Sequence, residues 1–230
     1  MKIDIVTFIP GLFDSLNKGK IGRAINLKKL SMKIHNFHSF AVDKRGSVDD
    51  KPFGGGPGMI LKVDVADKII KKLKRKNSKV ILLSPRGKVF NQKMAQRFSK
   101  MQHLIILCGR YEGYDERVYS LVDEAISIGD YILTGGEIPA MVILDATVRL
   151  LPGVVDKKES LENESFSPMK IGKLKIENCL EYPQYTRPQI YKKMKVPKIL
   201  LSGNHLEIAN WKKNEAQKIT KEKRPDLFNN

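Results

Sequence analysis

The chain has 230 residues, 41% of them hydrophobic, which is enough for one large domain or two modest ones with a real core. Its 42 Lys and Arg residues exceed its 25 Asp and Glu residues, and the formal net charge is +17. This excess favours a polyanionic partner, most simply nucleic acid, although a lysine run such as 71–79 is also typical of a solvated helix end. No apolar run is long enough to span a membrane. The two cysteines, Cys108 and Cys179, are too few to form a disulfide framework. We expect a soluble cytoplasmic protein.

The first half of the chain predicts strands and helices in alternation. Residues 2–8 are typical of a strand, a helix is expected from about Gly11, and residues 31–42 predict a second strand. Residues 42–59 predict a loop, because five glycines and two prolines within them disfavour regular structure. Apolar residues at helical spacing then predict a helix over 63–74.

Three apolar segments that follow are each interrupted by glycine. The segment 79–88 predicts a buried strand that stops at 84–87, and the segment 103–118 predicts a strand that stops at Gly109. In the third, SIGDYILTGGEIPAMVILDATVRLLPGVV (127–155), a strand ends at Ile128 and a helix begins near Glu137. Alternation to about Leu151 predicts an α/β fold with a mainly parallel sheet and helices on both faces. Because the carboxyl ends of its strands meet, a ligand pocket is expected there.

The C-terminal third has a different pattern. Residues 152–181 are charged and lack periodicity, which predicts a linker, whereas Asn204 followed by Glu207 predicts the start of a helix that runs toward Thr220. We therefore predict three regions: a domain over 1–152, an interdomain linker over 153–181, and a small, basic, helical domain over 182–230. The stretch 167–181 is either a lysine-bearing RNA contact or a local hairpin.

Two nucleotide-binding motifs are missing from the sequence. A dinucleotide fingerprint, G-x-G-x-x-G, should follow the first strand, but IPGLFDSLNKG stands there. The glycine-rich FGGGPGM has no lysine and is not a phosphate-binding loop of the G-x-x-x-x-G-K type. The pocket is thus expected to take a different ligand.

The three interrupted segments, together with VDDKPFGGGPGMI (48–60), YPQYTRP (182–188) and LLSGNHLEIANWK (200–212), resemble the bacterial tRNA (guanine-N1)-methyltransferases of the SPOUT superfamily. The resemblance covers nearly the whole chain in that family's order. It implies that the sheet is tied in a deep trefoil knot, which periodicity alone does not reveal. It also implies that S-adenosyl-L-methionine is the methyl donor and that the knotted loops bind it. The donor-binding residues that it implies are Pro85, Gly87, Gly109, Glu112, Ile128, Gly129, Asp130, Tyr131, Ile132, Leu133, Gly135, Gly136 and Pro139.

The same resemblance implies the catalytic groups. N1 of guanine carries a proton at neutral pH, so methylation needs a general base near N1 and a positive group near O6. The family's arginine corresponds to Arg149, and its acid corresponds to Glu164, where many members have aspartate. The alternative interpretation of Glu164 is an ordinary solvated charge in the linker.

For the partner, the resemblance implies tRNA, bound by its anticodon stem-loop, and a homodimer whose active site lies at the subunit interface. The aromatic residues available to stack on the extruded guanine are Tyr111, Tyr114, Phe166, Tyr182 and Tyr185. A magnesium requirement is implied as well, but no carboxylate cluster in the sequence marks a site.

We expect methylation of N1 of guanosine 37. The alternatives are another SPOUT enzyme acting on ribose 2′-OH or rRNA, and a non-catalytic RNA-binding protein.

Overall fold

The computed structural model describes residues 1–156, 164–171 and 174–228, with main chain alone at 169–171 and 174–177. It divides into two compact units, Met1–Asp156 and Lys157–Asn230. No helix in the described part of the chain is long and apolar enough to cross a membrane.

The first unit is built on a five-stranded parallel sheet. Its strands are β1 (Lys2–Thr7), β2 (Ser31–Asn36), β5 (Ser78–Val89), β6 (His103–Leu107) and β7 (Glu124–Ser127), in the order β2-β1-β6-β5-β7. Two short strands, β3 (Asp49–Asp50) and β4 (Ile60–Leu61), form a separate antiparallel pair. The predicted parallel sheet is therefore confirmed.

Helices cover both faces of the sheet because the strand side chains alternate in direction. On one face, Ile3 and Ile5 of β1 pack in a core with α1 (Gly19–Asn26), α3 (Gln92–Ser99) and α4 (Glu137–Val148). On the other face, Val6 packs in a core with α2 (Val63–Leu73). All five residues of β6 are buried, as expected of the central strand.

Three of the predicted boundaries are wrong. A 3₁₀ helix, Pro10–Asn17, occupies the first part of the helix expected from Gly11, and α1 begins only at Gly19. The strand expected over 31–42 ends at Asn36, where the Asn36 side chain accepts a hydrogen bond from His38 N and starts a second 3₁₀ turn. The strand expected to stop at Ser84 continues to Val89, with a bulge at 84–87.

The second unit contains two antiparallel hairpins and a long helix. The first hairpin pairs β8 (Ser167–Ile171) with β9 (Leu174–Cys179) and thus falls within 153–181, the segment predicted as a linker. The second pairs β10 (Ile190–Tyr191) with β11 (Met194–Lys195). The helix α5 (His205–Lys223) begins at Asn204, whose side chain accepts a hydrogen bond from Glu207 N, so the predicted cap is confirmed. Thr220 of α5 is fully buried and accepts a hydrogen bond from Leu180 N, which ties the helix to β9.

Candidate functional site

A cavity of about 360 Å³ opens where β5, β6 and β7 end. It lies at the carboxyl edge of the parallel sheet, where α/β folds commonly bind ligands, and its size falls within the range of small-molecule pockets. Of the predicted donor-binding residues, eleven line the cavity: Pro85, Gly109, Glu112, Ile128, Gly129, Tyr131, Ile132, Leu133, Gly135, Gly136 and Pro139.

The bulge in β5 explains how Pro85 reaches the cavity. Both Leu83 and Lys88 pair with Ile126 of β7, so the four residues between them are left out of the ladder. Ser84, Pro85 and Arg86 of the bulge line the cavity.

Two predicted residues, Gly87 and Asp130, do not line it. A Cβ on Gly87 would lie 2.5 Å from the carbonyl carbon of Ala125, so this glycine is needed for the bulge to pass close to the β7 main chain. Asp130 is exposed. Of these two residues implied by the resemblance, Gly87 packs beside the cavity, and a role for Asp130 in donor binding stays a prediction.

Glycines also bring the loop after β6 against the turn before α4. Gly136 N donates a hydrogen bond of 2.8 Å to Gly109 O, and a Cβ on Gly136 would lie 2.7 Å from Cys108 Cα. A Cβ on Gly109 would lie 2.5 Å from the ring of Tyr114. A larger side chain at Gly136 would force these two walls of the cavity apart, and one at Gly109 would displace the Tyr114 ring.

A buried carboxyl group lies behind this turn. Glu137, the first residue of α4, is 3% exposed and accepts a 2.8 Å hydrogen bond from the Thr7 hydroxyl at the end of β1. Burial, with the nearby Glu137 carboxyl, raises the pKa values of the Cys108 thiol and the Tyr114 hydroxyl well above their usual ranges. Both groups are consequently protonated at neutral pH.

The Tyr114 hydroxyl is also unsatisfied. Among the described residues, the Tyr114 hydroxyl and the Thr147 Oγ1 atom are the buried side-chain oxygens that lack a hydrogen-bond partner. Tyr114 lines the cavity, whereas Thr147 lies inside α4. A buried hydroxyl without a partner is costly, so a ligand that accepts its hydrogen bond would be favoured in the cavity.

Several cavity-lining residues were not identified as site residues from the sequence, and Arg86, Tyr119 and Arg110 are the polar or aromatic side chains of most interest among them. Arg86 makes two hydrogen bonds to Glu116, at 2.6 and 3.0 Å, and its guanidinium lies 4.7 Å from the Tyr119 ring centroid. This pairing lowers the pKa of Glu116 and raises that of Arg86. Arg86 could have been predicted, because it lies in the SPRGK segment that interrupts the strand beside the expected pocket. Tyr119 could not, because only tertiary contacts bring it to the cavity.

The glycine-rich loop 51–59 is attached to the same wall. Glu112 N donates to Met59 O at 3.1 Å, and Leu61 N donates to Gly113 O at 2.9 Å. Gly54, Gly55, Gly56 and Gly58 all have positive φ, which side chains other than glycine rarely adopt. Since Glu112 lines the cavity, the end of the loop at Met59 lies beside the cavity wall.

The two predicted catalytic residues belong to different units. Arg149 is half-buried at the C-terminal end of α4 in the first unit. Glu164 is half-buried in the second unit, just before β8. No group of three or more potential metal ligands occurs within the described residues.

The predicted stacking aromatics differ in their surroundings. Tyr114 is buried, and Tyr111 is 56% exposed at the cavity. In the second unit, Tyr182 has Lys212 4.6 Å from its ring centroid, and Tyr185 packs against Trp211. Phe166 has the Arg224 guanidinium 5.9 Å from its ring centroid.

Comparison with known proteins gives a match along the whole chain. The family model described as tRNA (Guanine-1)-methyltransferase TrmD matches residues 1–230. A tRNA (guanine-N(1)-)-methyltransferase of Dictyoglomus turgidum is 52% identical over 234 residues, covering 99% of this chain and 90% of that protein. Proteins of the same name from Endomicrobium trichonymphae and Lactobacillus johnsonii are 46% and 47% identical, covering 99% of this chain and 99% and 91% of their own lengths.

Proposed function

Because the chain belongs to the tRNA (guanine-1)-methyltransferase family, we propose that it methylates N1 of guanosine 37 in tRNA, with S-adenosyl-L-methionine as the donor. The family match makes the chain an enzyme, a methyltransferase that acts on tRNA. The observation that carries the proposal is the coincidence of a match over all 230 residues with a cavity at the interrupted strand ends.

The residues around the cavity fit the donor. Ile128, Ile132, Leu133 and Pro139 give an apolar slot for a flat adenine ring, and main-chain groups of the turn before α4 lie at its edge. The unsatisfied Tyr114 hydroxyl offers a hydrogen-bond donor, and the Glu112 carboxyl is suited to a positively charged amino group. A bulky side chain at Gly109 or Gly136 would fill the space between the loops.

The chemistry that the bound donor supplies is a methyl group on a positively charged sulfur. Glu164 is proposed to accept the N1 proton of guanine, which leaves a nitrogen lone pair to form the new N–CH₃ bond. The S–CH₃ bond of the donor would break, and its electron pair would stay on sulfur as a neutral thioether. Arg149 is proposed to stabilise the negative charge that develops on O6. A site completed across a subunit interface is proposed on the family resemblance alone.

The assembly is part of the proposal. The exposed face of α4 carries Ile138 and Val142, which are 53% and 43% exposed, and such apolar residues favour a homodimer contact. We propose that region 1–152 binds the donor, that 153–181 links it to the tRNA-binding region 182–230, and that this last region acts as a small helical domain. The trefoil knot is proposed on the resemblance, and the close main-chain passages at Gly87 and Gly136 support it.

The partner and setting follow the same reasoning. A net charge of +17 suits a polyanionic substrate. We propose a cytoplasmic location, since tRNA is the proposed substrate. The magnesium requirement stays a prediction, to be tested by assaying methyl transfer with and without a chelator.

The proposal is tested with two tRNA transcripts that differ only in carrying guanosine or adenosine at position 37. Methyl transfer to the first and none to the second is expected, with donor binding measured separately by calorimetry. Equal transfer to both transcripts would mean that another nucleotide, or a ribose, is the target. Donor binding without any transfer would contradict the proposed methyl transfer to tRNA.

A further inference from the structure

The second hairpin, β10–β11, is exposed on both faces. Every residue from 184 to 195 is exposed, and the large apolar side chains Ile190, Tyr191 and Met194 are 57%, 57% and 64% exposed. A two-stranded hairpin with no covered face is marginally stable in water. Its apolar side chains therefore favour a surface that covers them when the protein works.

The hairpin is nevertheless attached firmly at its base. Val196 N donates a 3.0 Å hydrogen bond to Gln189 O and closes the pair of strands. Before the hairpin, Tyr185 packs against Trp211 of α5, with ring centroids 6.5 Å apart. The turn thus projects from a helix-supported base.

The charged side chains around the hairpin, in residues 182–206, are all positive. Residues 182–206 include Arg187, Lys192, Lys193, Lys195 and Lys198 and no aspartate or glutamate. No ion pair within the described part of the chain involves these five cations. Lys192 lies at the turn, with its ammonium group 5.5 Å from the Tyr191 ring centroid. A cationic turn with an exposed aromatic ring beside it combines the two elements by which proteins hold RNA, phosphate neutralisation and stacking.

We propose that the β10–β11 hairpin is a tRNA-docking element. Lys192 and Lys193 contact phosphates, and Tyr191 stacks on an unpaired base or packs on a ribose. This deepens the proposed function and rests on tRNA being the substrate. The hairpin lies on the second unit and includes none of the residues that line the donor cavity. Its loss therefore weakens tRNA binding without changing donor binding.

The chain contains a matched control for the turn. Lys192 has φ +54°, and Lys28, which is also followed by a lysine in an exposed turn, has φ +55°. Asparagine tolerates this left-handed conformation, so both pairs can be changed in the same way with little backbone strain. The test variant is Lys192→Asn with Lys193→Ala, and the control is Lys28→Asn with Lys29→Ala. Each removes two positive charges from the full chain.

The measurement is the Kd for tRNA at 50 and 200 mM salt. Each lost phosphate contact lowers the salt slope by about 0.7–0.9, so the ratio of the two Kd values should fall about tenfold in the test variant and stay at the parental value in the control. Tyr191→Ala should weaken binding about tenfold at fixed salt, whereas Tyr191→Phe keeps the ring and should bind like the parent. Donor affinity by calorimetry should be parental in all four variants, which verifies that the first unit is folded, and a parental circular dichroism spectrum verifies the second unit.

Three results would overturn the proposal. One is a parental salt ratio in the Lys192→Asn, Lys193→Ala protein. Another is an equal fall in the control, which would make the effect one of net charge. A third is dissociation of the dimer in the Tyr191→Ala protein with parental tRNA affinity, which would assign the hairpin to a subunit contact. Failure of the proposed function is separable, because it would show as a parental protein that does not methylate guanosine 37.

Discussion

The hydrogen bond between Thr7 and Glu137 is expected to hold the cavity wall in place, and Thr7→Val tests this. Valine has the shape of threonine without the hydroxyl, so the change removes the 2.8 Å hydrogen bond to Glu137 and the 3.0 Å hydrogen bond that Ile9 N donates to Thr7 Oγ1. It leaves a carboxyl group that is 3% exposed without this donor. A buried acceptor that loses its partner costs about 2 kcal/mol in the free energy of unfolding. For a chain of 230 residues, this corresponds to a fall of about 4–8 °C in Tm.

The matched control is Thr147→Val. Thr147 is as deeply buried as Thr7, but its hydroxyl has no hydrogen-bond partner among the described residues. Its removal should leave Tm unchanged or slightly higher. Because Glu137 directly follows the Gly135–Gly136 turn, Thr7→Val should also raise the calorimetric Kd for the donor. The reasoning is refuted if Thr7→Val melts within about 1 °C of the parent, or if both valine variants lose the same stability.

Three further outcomes are expected. Glu164→Gln should keep most donor and tRNA affinity but lose about 10²- to 10⁴-fold in kcat, since it cannot accept the N1 proton; near-parental turnover would move the base elsewhere. Mixing two inactive variants, Gly135→Trp and Glu164→Ala, should restore part of the activity through heterodimers, and no recovery after verified subunit exchange would indicate a self-contained site. Arg117 holds the pKa of Asp115 at about 2, below its unfolded value, so this stabilisation is present above about pH 4 and is lost as pH falls toward 2. The Asp115 side chain caps the 3₁₀ helix Glu116–Ser120 by accepting a hydrogen bond from Arg117 N. Asp115→Asn keeps this cap but should flatten the acid limb of the Tm profile, and an unchanged limb would assign that pH dependence to other groups.

The sequence predicted the sheet and the place of the cavity because both depend on local patterns. Buried strands such as β6 are continuous apolar runs, and glycines at Gly109 and Gly136 mark the points where main chains approach closely. The start of α5 was likewise predicted from Asn204 followed by Glu207.

Other features depend on contacts that a sequence pattern does not contain. The strand expected to stop at Ser84 continues, because Lys88 pairs again with Ile126 after the bulge and Gly87 allows the close passage. Neither the pairing of Arg86 with Glu116 nor the buried Thr7–Glu137 hydrogen bond has a local signal, since each joins residues distant in the chain. For residues 167–181, the sequence does not decide between an RNA contact and a local hairpin, because the strands that form there are short and charged.

The central claim is that this chain methylates N1 of a guanosine in tRNA, and identification of the product tests it most directly. The protein is incubated with total tRNA and a donor labelled in its methyl group, and the tRNA is then digested to nucleosides for mass spectrometry. The account predicts that the label appears in 1-methylguanosine, in tRNAs that carry guanosine at position 37. Label in 2′-O-methyl nucleosides, or no label although the donor binds, would contradict it.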